Sequence, residues 1–205
     1  MDLTQDGRLD LITGSWPGTV YLFRGQEGGG FGAREPVLGH DGKPVNVGNA
    51  SAVFAADWDR DGRLDLVIGT IEGHVFLLPG LPGDGPRFGP AQPLAAAGAK
   101  IKVPGGDAGP CVADWDGDGV PDLLVGCGDG SVQLFRGGGA DGAPRLAAPR
   151  ALVPPARDGR GTRAKPAVAD WDGDGRLDLL VGDFSSQGRK YHGHVWLFLR
   201  AEAAR

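Results

Sequence analysis

The chain is poor in the residues that most often build catalytic or redox centres. Among 205 residues it has two cysteines, four histidines and one methionine. Two cysteines do not make a disulfide framework. Cys111 and Cys127 flank one acidic loop, so they either pair across adjacent strands or lie buried as small apolar residues. Neither reading fixes the redox compartment. No apolar run approaches the ~20 residues that a membrane span needs. No signal peptide is expected from the opening residues, since Met1 is followed at once by Asp2-Leu3-Thr4-Gln5-Asp6-Gly7. The chain instead starts inside a repeat unit. Lys and Arg are scattered singly and form no basic stripe, so no nucleic-acid partner is expected. No Ser/His/Asp set is legible. The glycines at 137–139 lack the Lys-Ser/Thr of a phosphate loop. His192-Gly193-His194 reads as turn and strand surface, with a two-histidine metal pair as the alternative. No enzyme activity is expected.

Glycine and acid are abundant instead. There are 38 glycines and 16 prolines, a share near the range of disordered chains. A hydrophobic content of 40% and a clear internal repeat point to turns between many short strands. The net charge is −5, and its distribution says more than its size. Fifteen of the 26 acidic residues lie in four repeated loops, leaving 11 acidic against 21 basic residues elsewhere.

The loops are Asp57-Trp58-Asp59-Arg60-Asp61-Gly62-Arg63-Leu64-Asp65, Asp114-Trp115-Asp116-Gly117-Asp118-Gly119-Val120-Pro121-Asp122 and Asp170-Trp171-Asp172-Gly173-Asp174-Gly175-Arg176-Leu177-Asp178. A weaker copy opens the chain: Asp2-Leu3-Thr4-Gln5-Asp6-Gly7-Arg8-Leu9-Asp10. Their first residues are 55, 57 and 56 apart. Each loop is followed by a short Val/Ile/Leu run ending in glycine: 9–14, 64–69, 122–126 and 177–182. Such runs suit buried strands. A turn and a second run follow at 19–24, 74–78, 131–136 and 194–199, then a more polar, proline-containing edge run such as 88–94. One more run precedes each complete loop. A full unit is therefore four short strands, with the loop joining the first to the second. The expected fold is all-β, a β-propeller of four-stranded antiparallel blades. The residues 1–205 read as a single repeat domain with units at about 1–47, 48–105, 106–163 and 164–205. The first and last units are incomplete. That suggests a fragment, a truncated chain, or a ring completed by a second copy.

Carboxylates at positions 1, 3 and 5 of each loop can converge on one hard cation. Glycine at position 6 permits a sharp turn. The carbonyl of position 7 and the Asp of position 9 complete an oxygen shell suited to calcium. The expected ligands are Asp57, Asp59, Asp61, Arg63 and Asp65; Asp114, Asp116, Asp118, Val120 and Asp122; and Asp170, Asp172, Asp174, Arg176 and Asp178. The first loop supplies Asp2, Thr4, Asp6, Arg8 and Asp10. Arg8, Arg63, Val120 and Arg176 would act by backbone carbonyl. Thr4 in place of Asp removes one charge, so the first site should be weaker. An EF-hand is excluded, because position 12 is Thr13, Ile68, Val125 or Val181 where that loop needs Glu. The tryptophans at position 2 should point away from the ion and pack between blades.

The run 114–126, its near copy 170–182 and the variant 57–69 resemble the FG-GAP, or VCBS, family of calcium-binding propeller blades, also found in integrin α heads. Phe31-Gly32 and Phe88-Gly89 match the Phe-Gly element. The resemblance implies calcium that stabilises blades, and an extracellular or periplasmic setting. It implies a non-enzymatic binding or adhesion scaffold for a glycan or protein. The alternative is a propeller fragment of a secreted carbohydrate-active enzyme such as a polysaccharide lyase. A homo-oligomer that completes the ring is a further expectation.

With the acidic loops at one end, other connections gather at the opposite face. That face carries Trp16 and an insertion at 183–192 with Arg189, Lys190 and Tyr191. These four suit a glycan or an acidic partner, because binding specificity tends to sit on loops of a rigid scaffold.

Overall fold

A computed structural model describes residues 1–49, 52–83, 85–139, 144–157, 159–187 and 190–201. The architecture is all-β, with four antiparallel blades arranged as a β-propeller. The first blade has three strands: β1 (Leu11–Thr13), β2 (Tyr21–Phe23) and β3 (Glu35–Pro36). A short strand, β4 (Leu38–Gly39), follows. The second blade runs β5 (Ala52–Ala56), β6 (Asp65–Gly69) and β7 (Val75–Leu78). Its proline-containing edge run is split in two. β8 (Arg87–Phe88) leaves the blade to pair in parallel with β4, and β9 (Gln92–Pro93) completes the order β5-β6-β7-β9.

A two-stranded turn, β10 (Ala95–Ala96) and β11 (Ala99–Lys100), links the second blade to the third. The third blade is the regular one: β12 (Gly109–Ala113), β13 (Asp122–Gly126), β14 (Val132–Phe135) and β15 (Arg150–Val153), in chain order. The fourth has β16 (Thr162–Ala169), β17 (Asp178–Gln187) and β19 (Val195–Phe198). The insertion expected as a loop is a hairpin instead. β17 runs on to Gln187 and pairs with β18 (Lys190–His192). Arg189 lies outside the described residues.

The core lies between blades, because strands apolar on both faces must be covered on both. Leu3, Val20 and Leu22 of the first blade meet Leu66, Ile68 and Phe88 of the second. Trp58, Val75 and Leu77 of the second meet Leu123, Val125 and Phe135 of the third. Cys111, Val132 and Leu134 of the third meet Ala164, Leu179 and Val181 of the fourth. Each aliphatic side chain buried this way contributes about 1.5–3 kcal/mol. The glycine ending the second strand has a packing reason. A Cβ on Gly69 would lie 2.2 Å from the Ala108 carbonyl oxygen, and one on Gly126 would lie 2.0 Å from that of Ala164. The following blade's backbone approaches too closely for any side chain.

The two cysteines are free and buried. Cys111 packs in the cluster toward the fourth blade and Cys127 in the cluster toward the second. Of the two readings left open by the sequence, burial holds.

Candidate metal centres

The acidic loop sits between the first and second strands, between β5 and β6, β12 and β13, and β16 and β17. Two left-handed residues shape it. Position 6 is glycine in every copy, with φ of 83° at Gly7, 87° at Gly62, and 84° at Gly119 and Gly175. Position 4 is left-handed too, at Gln5, Arg60, Gly117 and Gly173. These turns fold the loop so that the position-1 carboxylate caps its own far side. Asp57 accepts hydrogen bonds from the amides of Asp61 and Gly62, both at 3.0 Å. Asp2 and Asp114 accept from the matching amides of their own loops. Asp170 accepts from Gly175 N, while Asp174 N donates to Asp172 Oδ1 at 3.2 Å.

Position 9 has a second task. Its carboxylate is buried and spans from the loop to the end of the third strand. Asp65 accepts from Trp58 N at 2.8 Å and Gly80 N at 2.6 Å. Asp122 accepts from Trp115 N at 2.9 Å and Gly137 N at 2.7 Å. Asp178 accepts from Trp171 N and Arg200 N, and Asp10 from Leu3, Thr4 and Gly25 N. Position 7 assists where it is arginine. Arg8, Arg63 and Arg176 donate through Nε to the carbonyls of Gly25, Gly80 and Arg200, and each pairs with the position-5 carboxylate. The third loop has Val120 at position 7; there Arg136 pairs with Asp116 instead.

Position 3 completes the site. Asp59 Oδ1, Asp116 Oδ1 and Thr4 Oγ1 are buried and have no hydrogen-bond partner among the described residues. A buried oxygen without a partner costs about 1–3 kcal/mol unless something else satisfies it. Three groups have carboxylate oxygens within 4.8 Å of one another and could hold a metal ion: Asp57, Asp59 and Asp61; Asp114, Asp116 and Asp122; Asp170, Asp172 and Asp178. The donors are all hard oxygens, which suit a hard divalent cation. Among the described residues the first loop forms no such group.

The electrostatics agree with this arrangement. Burial pushes the pKa of Asp65 up; hydrogen bonds from Gly80 and Trp58 oppose the shift, and repulsion from Asp59 and Asp61 adds to it. Asp122 is raised in the same way, by burial and then by Asp118 and Asp114. The Arg200 amide leads the lowering of Asp178. At Asp10 burial raises the pKa, but the combined hydrogen bonds from Gly25, Thr4 and Leu3 outweigh it and the net shift is downward. A cation among such carboxylates supplies the missing countercharge.

On the opposite face, Trp16 lines a cleft of about 470 Å³ with Asp107, Arg163, Lys165, Asp183 and Phe184 among its walls. Lys165 Nζ donates to Asp107 Oδ1 at 3.0 Å, and the Arg163 guanidinium lies 5.5 Å from the centre of the Phe184 ring. Tyr191 stacks on Phe184 with ring centres 5.7 Å apart, and Lys190 is exposed beside it. Sequence reasoning missed Asp107, Arg163, Lys165 and Phe184. They come from the connection before β12 and from the strands β16 and β17, and no local motif marks them. His192 ends β18, whereas His194 lies past it, with its Nδ1 3.6 Å from Asp183 Oδ1.

Among the described residues no helix is long and apolar enough to cross a membrane. The FG-GAP-like repeat matches residues 2–68 and 114–181. The chain is 32% identical over 147 residues to integrin alpha-7 of Mus musculus, a match covering 66% of this chain and 12% of the relative. Integrin alpha-7 of Homo sapiens matches with the same identity and the same shares. The chain thus spans about an eighth of these relatives. Among solved structures it is similar to an Agrocybe aegerita lectin described for specific recognition of non-reducing terminal N-acetylglucosamine. That likeness has a TM-score of 0.50 and 29% identity, and covers 92% of this chain and 48% of the lectin chain. The chain belongs to the FG-GAP-like repeat family.

Proposed function

We propose that this chain is a calcium-stapled, non-enzymatic binding scaffold whose ligand is a glycan or protein held on the face opposite the calcium loops. Each loop would hold one calcium ion through its carboxylates at positions 1, 3, 5 and 9 and the carbonyl of position 7. The position-3 oxygens without partners are the observation that carries the calcium reading. An all-oxygen cage assembled from one loop favours calcium over magnesium, which gives up its waters reluctantly. The calcium is structural in this reading. It holds together a loop that also ties the first, second and third strands of its blade.

The cleft beside Trp16 is the proposed recognition site. An exposed indole, a second aromatic at Phe184 and polar groups between them suit the apolar face and hydroxyls of a sugar. The likeness to a lectin supports a glycan, and the likeness to integrins supports a protein. Calcium-rich surroundings outside the cell, or the periplasm, would fill such sites.

A glycan array probed in calcium and again in excess chelator tests the proposal. Binding that falls on chelation, and falls with Trp16→Ala while the fold is kept, is the expected result. Turnover of a polysaccharide by this chain alone would overturn the non-enzymatic reading.

A further inference from the structure

The register of the repeat assigns each apolar residue a direction, forward to the next blade or back to the preceding one. The forward set is position 2 of the loop with two residues of the third strand. In the second blade it is Trp58, Val75 and Leu77, all buried against the third. In the third it is Trp115, Val132 and Leu134, packed against the fourth. In the fourth it is Trp171, Val195 and Leu197, and there it is open. Trp58 is 1% exposed and Trp171 61%; Val75 is 1% exposed and Val195 72%. Leu199 adds to the same exposed surface.

The backward set fails in the mirrored place. In the second blade Leu64, Leu66 and Phe88 pack on the first. Their counterparts in the first blade are Leu9, Leu11 and Phe31, all exposed. Phe88 is 1% exposed and Phe31 50%, and Leu9 reaches 70%. Glycine packing agrees. Gly69 and Gly126 are pressed by the backbone of the following blade, while a Cβ on Gly182 would meet nothing nearer than 3.7 Å.

One chain therefore carries two unsatisfied faces that are complementary by repeat. Within the chain they do not meet, since both are exposed. We propose that a second copy of this chain fills them head to tail. The first blade of each copy packs on the Trp171 face of the other's fourth blade, and two copies close one ring. The contact is heterologous, and a two-fold axis repeats it, so both open faces of both copies are covered. The similar lectin chain is about twice as long, this chain covering 48% of it, so two copies supply the same length. Large apolar patches with a defined shape mark such contacts.

The test is the mass of the chain in solution with calcium, by light scattering on a sizing column. The expected mass is twice the 21.2 kDa of one chain. Val195→Glu alone and Leu9→Lys alone should each give a monomer. Both positions are solvent-exposed in one copy, and circular dichroism checks that each variant folds. Mixing the two variants should restore a dimer. One of its interfaces is then native, and the other brings Glu and Lys together. A monomeric parent chain overturns the proposal and leaves further blades of a longer polypeptide as the occupant. A dimer that survives Leu9→Lys overturns it as well, since a like-face contact would not involve the first blade. A mixture that stays monomeric excludes the head-to-tail geometry.

Discussion

Asp122 and Gly137 are joined by a 2.7 Å hydrogen bond between a buried carboxylate and an amide fifteen residues later. Its other oxygen accepts from Trp115 N at 2.9 Å. The same carboxylate therefore fixes the loop's start and the third strand's end. Asp122→Ala should leave two amides without partners and cost about 3 kcal/mol in a urea titration. Val120→Ala in the same loop should cost less than about 1 kcal/mol.

That bond marks where the sequence stops being legible. The period of the loops and the alternation of short apolar runs give the strands, their order and the blade. The loop's acidic residues identify themselves by spacing. The structural duty of position 9 does not, because its partners Gly80, Gly137 and Arg200 are glycines or surface residues whose contribution is a backbone amide. The hairpin at β17 and β18 was hidden for another reason. Asp183-Phe184-Ser185-Ser186 reads as polar loop, yet its backbone extends a strand whose pairing partner lies within the insertion. The wall of Asp107, Arg163 and Lys165 combines the connection before β12 with β16, brought together only by blade packing.

The first loop differs from the others at one atom set. Thr4 offers a hydroxyl where Asp59, Asp116 and Asp172 offer a carboxylate. Isothermal titration should resolve three tighter calcium sites and one weaker. Thr4→Asp should tighten the weak site about tenfold, because ligand charge tunes calcium affinity. Asp59→Asn should weaken only the second.

Asp183 anchors the base of the hairpin by accepting from Gly161 N, His194 N and Trp196 Nε1 at 2.6, 2.8 and 2.7 Å. Burial raises its pKa, but these donors together with the charge of His194 lower it further, and the net shift is downward. A carboxylate depressed by folding stabilises above its unfolded pKa, here near 3.8. That stability is lost as the pH falls through the folded value. Asp183→Ala should therefore cost about 3 kcal/mol at neutral pH, and the difference from the parent should shrink below pH ~3.8. Paired urea titrations across pH check it.

Burial pushes both thiols up to about 11. Thiolate is the reactive form, so neither cysteine should react with an alkylating reagent at pH 8 while the chain is folded. Mass spectrometry should count no adducts in the native state and two after denaturation.

Thermal unfolding in calcium and in excess chelator tests whether bound calcium staples the blades. Calcium bound only to the folded loops stabilises each site by about 2.7 kcal/mol at a hundredfold excess over its Kd. The melting temperature should fall by several degrees on chelation and return on adding calcium, with Asp59→Asn, Asp116→Asn and Asp172→Asn each reducing the difference. An identical melting curve in calcium and in chelator would contradict a calcium staple.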